Sequence, residues 1–355
     1  MTKKFLSWTY LGCFAMIGCF VRNVTTQTYV ANHADNLEGL FPDICANMFG
    51  CWIMGLLSAP SRFAPERYPA TDTSLAITTS ANMFSQNSYL LVGLRTGLCG
   101  SITTFASWTA SMAQLTFRGH AWSACFAYLV GTELALGSLW LGESAAAFLF
   151  SYARQEQQQL NMQLSPEAAK FPLWPQHLLV VITTYAMFAV ALAGAAGAPN
   201  TYTGSVYLDR SVWFALVFSP FGAILRAELG AAFNGNGNFP MWFKFKGTWT
   251  ANVAACAISG ATTACGTLWF ANGPSIARDA TIGIALGFCG CLSTVSTWAV
   301  ELTKLAPTAK RFEKDAWFYW GLTVVCGFGV CLVTYLPIAF THNADDDYAY
   351  KVTFS

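Results

Sequence analysis

The sequence has 355 residues, of which 54% are hydrophobic and only 10% are charged, and its net charge is +1. A soluble domain carries about 25% charged residues, so this composition excludes an ordinary soluble protein, and the near-neutral charge gives no basis for nucleic-acid binding. The apolar residues form continuous runs long enough to cross a bilayer core as helices, without the alternation of a β-barrel. The sequence therefore predicts an all-α, multi-pass membrane protein.

About nine transmembrane helices are predicted from these runs. The first run follows Lys3 and Lys4 and ends at Arg22 without a small-residue cleavage site, so we interpret it as a membrane helix and not as a signal peptide. The predicted spans, in chain order, are 7–27, 41–60, 86–116, 121–151, 176–199, 211–234, 249–271, 280–302 and 316–340. The longest loops are 61–85 and 152–175, and an acidic tail with Asp345, Asp346 and Asp347 follows the last span.

The distribution of Lys and Arg predicts the orientation of the chain. Placing the N-terminus in the cytoplasm puts most basic residues on the inner side, including Lys3, Arg67 and Lys310, and nine crossings then leave the acidic tail outside.

The second half of the sequence repeats landmarks of the first half in the same order. These pairs are Gly18-x-x-x-Arg22 with Gly222-x-x-x-Arg226, Asn47 with Asn252, "GLCGSITTFASW" (97–108) with "GFCGCLSTVSTW" (287–298), and Tyr128-x-x-x-Thr132 with Tyr319-x-x-x-Thr323. The unpaired span at 176–199 makes the second unit enter the membrane from the opposite side, which predicts two inverted four-helix repeats joined by a linker helix. The predicted divisions are 1–152 for the first repeat, 153–205 for the linker, and 206–355 for the second repeat with its tail.

The repeated third-span motifs resemble the G-x-C-G-x-x-T-T-F-S-T-F signature of the CrcB/Fluc fluoride channels, and "GTWTANVA" (247–254) resembles a segment of their second helix. The arrangement of four helices, one helix and four helices is similar to the fused eukaryotic exporters called FEX. The resemblance covers nearly the whole chain apart from loops and tail. It implies a fluoride channel with two candidate pores between antiparallel repeats.

The resemblance also implies a structural sodium ion at the centre, where each third helix is interrupted. It places the metal-binding backbone carbonyls at Gly100 and Thr103 in one repeat and at Gly290 and Ser293 in the other. An interrupted helix frees carbonyl groups at membrane depth. Without the resemblance, the glycines of the motif favour close helix packing, the commoner use of glycine in membrane helices.

The remaining matched positions predict the lining of a fluoride pathway. Fluoride is strongly hydrated, so a pore must replace the hydrogen bonds of water. Amides and hydroxyls donate such bonds, and aromatic ring edges carry positive potential. The predicted lining residues are Asn47, Phe105, Trp108, Thr132, Asn252, Val295, Trp298 and Thr323.

Two of these positions depart from the family pattern, which has phenylalanine at both ring positions. Here the pairs are Phe105 with Trp108 and Val295 with Trp298. Because each pore of the family takes one ring from each repeat, we expect Phe105 to pair with Trp298. The other pore would combine Val295 with Trp108. We therefore expect one pore to conduct well.

Several charged residues within the spans admit more than one interpretation. Arg22 and Arg226 can be structural or functional groups in the membrane, or can snorkel to lipid headgroups. Glu133 can be a proton carrier, whereas Glu228 and Glu301 lie near span ends and Asp43 begins a helix.

The leading hypothesis is a channel that exports fluoride passively from the cytoplasm and works as a monomer in the lipid bilayer. The alternative is a proton-coupled transporter of small ions or drugs with inverted repeats, and a third hypothesis is a membrane scaffold. The sequence shows no nucleophile–base pair or metal cluster, so an enzyme is not expected.

Overall fold

A computed structural model of the chain describes residues 2–33, 41–58, 88–160, 173–198, 209–235, 240, 243–266, 275–306 and 313–341. Within these ranges all regular secondary structure is helical. The predicted loop at 61–85 and the acidic tail lie outside the described residues.

The first repeat consists of four helical units, of which the third is interrupted. They are α1 (Lys3–His33), α2 (Ile44–Ser58), α3 (Ser88–Val92, continuing through Gly93–Cys99 to Gly100–Ile102), α4 (Ala106–Phe117) and α5 (Ala121–Leu160), with α3 and α4 forming the two parts of the third unit.

The second repeat has the same order of elements, after a separate helix. These elements are the connecting helix α6 (Trp174–Gly197), then α7 (Arg210–Phe233), α8 (Lys246–Ala264), α9 (Ile276–Gly283, continuing through Ile284–Cys289 to Gly290–Leu292), α10 (Ser296–Leu305) and α11 (Lys314–Thr341). Each predicted span therefore contains a described helix.

Seven helical segments of the described chain are long and apolar enough to cross a membrane: Lys3–Val30, Ser88–Phe117, Ala121–Leu149, Trp174–Gly197, Arg210–Phe233, Ile276–Leu305 and Lys314–Phe340. The helix α2 is also apolar but has only 15 residues. The helix α8 has 19 residues with several small polar side chains among the apolar ones. Both helices bury many of their residues inside the protein. They therefore expose less surface to lipid and need less apolar surface.

In each repeat, a glycine of the second helix lies against the backbone of the fourth helix. Gly55 of α2 lies directly against the backbone of α5 at Leu139 and Gly142, and Gly260 of α8 lies against the backbone of α11 at Cys331. A side chain at either glycine would collide with the neighbouring backbone. Such close approach between small residues is a common way to pack membrane helices.

The first helices of the two repeats, α1 and α7, pack against each other, and α6 packs on both. Little of α6 is buried: Ala191 and Ala195 are its buried residues. It joins the repeats at the periphery, and the interrupted third helices occupy the centre.

Each third helix is interrupted at the equivalent place. The residues 93–99 of α3 and 284–289 of α9 are wound as π-helix. Each helix then ends in an extended residue, Thr103 with φ −90° and ψ 147° and Ser293 with φ −85° and ψ 161°. The helices α4 and α10 restart three residues later. Because these breaks lie inside the protein, their backbone groups must find partners there.

Candidate functional site

Each break supplies the cap for the helix that restarts in the other repeat. The hydroxyl oxygen of Ser293 accepts hydrogen bonds from the backbone N–H groups of Phe105 at 3.1 Å and Ala106 at 3.0 Å. The hydroxyl oxygen of Thr103 accepts from the N–H groups of Val295 at 3.2 Å and Ser296 at 3.1 Å. These are the donors that a helix leaves unsatisfied at its N-terminus. Each broken third helix therefore caps the restarting helix of the other repeat.

Each predicted asparagine forms hydrogen bonds with the backbone of the residue that follows the extended residue of its break. The amide nitrogen of Asn47 donates to the carbonyl of Thr104 at 3.2 Å, and its oxygen accepts from the Thr104 N–H at 2.8 Å. Asn252 makes the equivalent pair with Thr294, at 3.2 and 2.8 Å. Each side chain thus replaces a lost backbone partner and keeps one amide hydrogen available.

Both arginines lie in the interior, so snorkelling to headgroups is the wrong interpretation. Arg22 is 1% exposed and Arg226 is 4% exposed. Arg22 donates to the carbonyls of Ser101, at 2.9 Å, and Leu286. The physical reason is that the breaks leave carbonyl acceptors at membrane depth, where a guanidinium finds better partners than at the bilayer surface.

The guanidinium of Arg226 lies on the carbonyls that the resemblance assigns to sodium. It donates from Nη1 to the carbonyls of Gly100 at 2.6 Å and Ser293 at 3.0 Å, and from Nη2 to Thr96. Gly100 has no room for a side chain against this guanidinium, and Gly290 has none against that of Arg22. With a cation already on two of the four predicted oxygens, this set does not fit a sodium ion in this arrangement.

Buried side chains from three helices of the second repeat form a polar group that we call the second-repeat column. It consists of Thr248 and Asn252 on α8, Trp298 and Glu301 on α10, and Tyr319 and Thr323 on α11. Glu301 is 4% exposed and accepts from the hydroxyls of Thr248 at 2.6 Å and Tyr319 at 2.7 Å. The Thr323 hydroxyl donates to the Tyr319 carbonyl at 2.8 Å.

Phe105 from the first repeat packs against this column. Its ring centroid lies 5.5 Å from that of Trp298, at an interplanar angle of 57°. A Cβ atom on Gly327 of α11 would lie 2.9 Å from the Phe105 ring. Phe105 also contacts Trp108 edge-on, with centroids 5.9 Å apart. The ring of Phe105 therefore contributes to a site whose polar groups come from the other repeat.

The equivalent first-repeat column consists of Asn47, Trp108, Tyr128 and Thr132. Trp108 stacks on Phe41, with centroids 4.6 Å apart, and lies 5.2 Å from the Tyr128 ring. The Thr132 hydroxyl donates to the Tyr128 carbonyl at 2.7 Å and accepts from the indole N–H of Trp320 at 2.9 Å.

The two columns differ at three places. Val295, which is fully buried, stands where the other repeat has Phe105. Ser111 stands where the second repeat has Glu301, and the Trp320 indole covers Thr132. The two columns are related by the repeat but are not chemically equivalent.

The sequence placed Glu301 only near a span end, and it did not predict Trp320 or the hydroxyl caps. Glu301 follows Trp298 by three residues, which places both on one helix face, and that spacing was the available signal. Glu133, considered as a proton carrier, lies on the exposed face of α5 beside the buried Thr132. It is therefore not a member of the column.

The fold and the site define a multi-pass helical membrane protein whose two repeats exchange helix caps around a buried polar centre. The family model described as "CrcB-like protein, Camphor Resistance (CrcB)" matches residues 9–143 and 213–335, one region in each repeat. The chain belongs to this CrcB-like family.

Curated relatives match either nearly the whole chain or a part of it. Fluoride export protein 1 of Neurospora crassa is 26% identical over 94% of this chain and 67% of its own length. Fluoride export protein 1 of Schizosaccharomyces pombe is 25% identical over 97% of this chain and 99% of its own length. Fluoride-specific ion channel FluC 1 of Streptomyces avermitilis is 26% identical over 39% of this chain and 93% of its own length. No solved structure was found to match.

Proposed function

We propose that this protein is a channel that lets fluoride leave the cell passively, down its electrochemical gradient. The observation that carries the proposal is the second-repeat column with the Phe105 ring against it, in a chain of the CrcB-like family. The relatives named as fluoride exporters and as a fluoride-specific channel support the same ion.

The chemistry of the column suits a small, strongly hydrated anion. Removing water from such an ion is costly unless donors replace it. The column offers the remaining amide hydrogen of Asn252 and the ring edges of Phe105 and Trp298. The hydroxyls of Tyr319 and Thr323 already donate to protein acceptors. Neutral donors bind an anion less tightly than a fixed cation would, which allows the ion to leave again.

We propose that the second-repeat column conducts and the first-repeat column does not. In the first-repeat column Val295 supplies no ring edge, and the Trp320 indole lies on Thr132. The first feature removes a positive ring edge, and the second fills the space beside the Thr132 hydroxyl. The protein would then have one working pathway.

The proposed setting is the plasma membrane, with a cytoplasmic N-terminus and a monomer as the functional unit. Fluoride enters cells as the weak acid and ionises in a more alkaline cytoplasm. A negative membrane potential then drives the anion outward without a coupling ion. The exposed position of Glu133 gives no support to the proton-coupled alternative.

The test is reconstitution of the purified chain in liposomes loaded with fluoride or with chloride, and efflux is followed with ion-selective electrodes under a potassium diffusion potential. We expect fast fluoride efflux that responds to voltage at fixed pH, and little chloride efflux. Absence of fluoride efflux, or equal efflux of both halides, would contradict the proposal.

A further inference from the structure

A buried indole N–H in the second-repeat column has no hydrogen-bond partner among the described residues. Trp298 is fully buried, and its Nε1 atom is unpaired. Buried donors are almost always paired in native proteins, so an unpaired one requires an explanation. The Nε1 atoms of Trp108 and Trp249 are buried and unpaired as well, so the inference depends on where Trp298 lies in the second-repeat column.

The other donors around Trp298 are already committed. The hydroxyls of Thr248 and Tyr319 both donate to Glu301, at 2.6 and 2.7 Å, and that of Thr323 donates to a backbone carbonyl at 2.8 Å. Asn252 uses one amide hydrogen on Thr294 and keeps the other. Trp298 therefore carries a strong donor of the column that no protein group uses.

The position of Trp298 along the column places this donor in the middle of the pathway. On one side, Thr294 lies two residues before the start of α10 and is bound by Asn252. On the other side, Glu301 lies three residues further along α10 and is bound by Thr248. Trp298 thus lies between the Asn252–Thr294 hydrogen bonds and the Thr248–Glu301 hydrogen bond. The Phe105 ring packs against Trp298 at this position.

We propose that the indole N–H of Trp298 donates a hydrogen bond to the fluoride ion as it passes, with the remaining amide hydrogen of Asn252 as the neighbouring donor. This inference rests on the proposed function and adds a selectivity-determining residue to it. A hydrogen bond from N–H to an anion is stronger than contact with a ring edge. Coulomb attraction also grows as the distance falls, so the donor returns more of the lost hydration energy to fluoride than to a larger halide.

The experiment replaces the N–H while keeping an aromatic side chain. Trp298→Phe and the replacement of Trp298 by 3-benzothienylalanine, which has sulfur in place of the indole N–H, are reconstituted as full-length protein. Trp249→Phe is the matched control, because the Nε1 atom of Trp249 is also buried and unpaired while its ring packs on Phe243, 5.7 Å away.

We expect both Trp298 variants to lose about tenfold in fluoride efflux, the ratio that corresponds to one hydrogen bond to a charged group, with melting temperatures unchanged for the benzothienyl variant. Trp249→Phe should keep wild-type efflux. In the ¹⁵N-indole spectrum, one resonance that is missing in Trp298→Phe should shift with fluoride and not with chloride.

Wild-type efflux in the benzothienyl variant would overturn the inference while leaving the proposed channel intact, and so would an equal loss in Trp249→Phe. Wild-type protein that passes no fluoride would overturn both proposals.

Discussion

Replacing Ser293 by alanine tests the exchange of helix caps between the repeats. The Ser293 hydroxyl accepts from the N–H groups of Phe105 and Ala106, at 3.1 and 3.0 Å, and Ser293 is fully buried. Alanine leaves two donors at the start of α4 without an acceptor in a place that water does not reach. Loss of a helix N-cap costs about 0.5–2 kcal/mol, and a buried unpaired donor costs about 1–3 kcal/mol. We therefore expect Ser293→Ala to lower the free energy of unfolding by about 2–4 kcal/mol.

The assay is unfolding in mixed detergent micelles, followed by circular dichroism, with fluoride efflux measured on the same preparations. Ser219→Ala is the matched control: Ser219 is equally buried, but its hydroxyl donates only to the carbonyl of Leu216 in its own helix, at 2.9 Å. Ser293→Thr should retain most of the stability, because Thr103 caps α10 with the same group. If Ser293→Ala and Ser219→Ala unfold alike, the caps do not hold the two repeats together.

Three further outcomes are expected. Phe105→Ile should abolish fluoride efflux from liposomes while Val295→Ala changes it little, because the Phe105 ring packs against Trp298 in the second-repeat column; equal losses would refute the asymmetry of the two columns. The melting temperature of the wild-type protein should be the same in sodium, potassium and N-methylglucamine chloride, because Arg226 already binds the carbonyls of Gly100 and Ser293. A stabilisation specific to sodium would show that this cation takes the place of the guanidinium. Glu301→Gln should lower the free energy of unfolding by about 1–3 kcal/mol in the same denaturation assay. The reason is that one amide oxygen must replace two carboxylate oxygens, each of which accepts a hydrogen bond from a hydroxyl. Unchanged stability would mean that these hydrogen bonds contribute nothing.

The repeat could be predicted because its landmarks are local patterns in the sequence. Glycine spacing and the recurrence of Asn47 as Asn252 are visible in the sequence without any knowledge of contacts. The breaks of the third helices were implied only by the resemblance, because the glycines by themselves favour close helix packing. The helices of the described chain follow these predictions.

The partners of the site residues could not be predicted, because they come from the other half of the chain. Arg226 binds Thr96, which is 130 residues away, and the Trp320 indole binds Thr132, which is 188 residues away. Arg22 was predicted to be structural or to snorkel, and only the geometry shows that it reaches a carbonyl of the second repeat. Hydropathy reports how apolar a segment is, but it does not report which carbonyl a side chain meets.

The exchange of caps also fixes an order of events during biosynthesis. The backbone N–H of Phe105 is satisfied by a hydroxyl 188 residues later in the chain, and the N–H of Val295 by one 192 residues earlier. When the ribosome has finished the first four-helix unit, the start of α4 is still without its acceptor, so that unit must remain incomplete until the other has been inserted. Insertion of the second unit in the opposite direction is then a condition for maturation of the first, and a chain whose later half enters the wrong way round leaves both broken helices open to recognition by quality control.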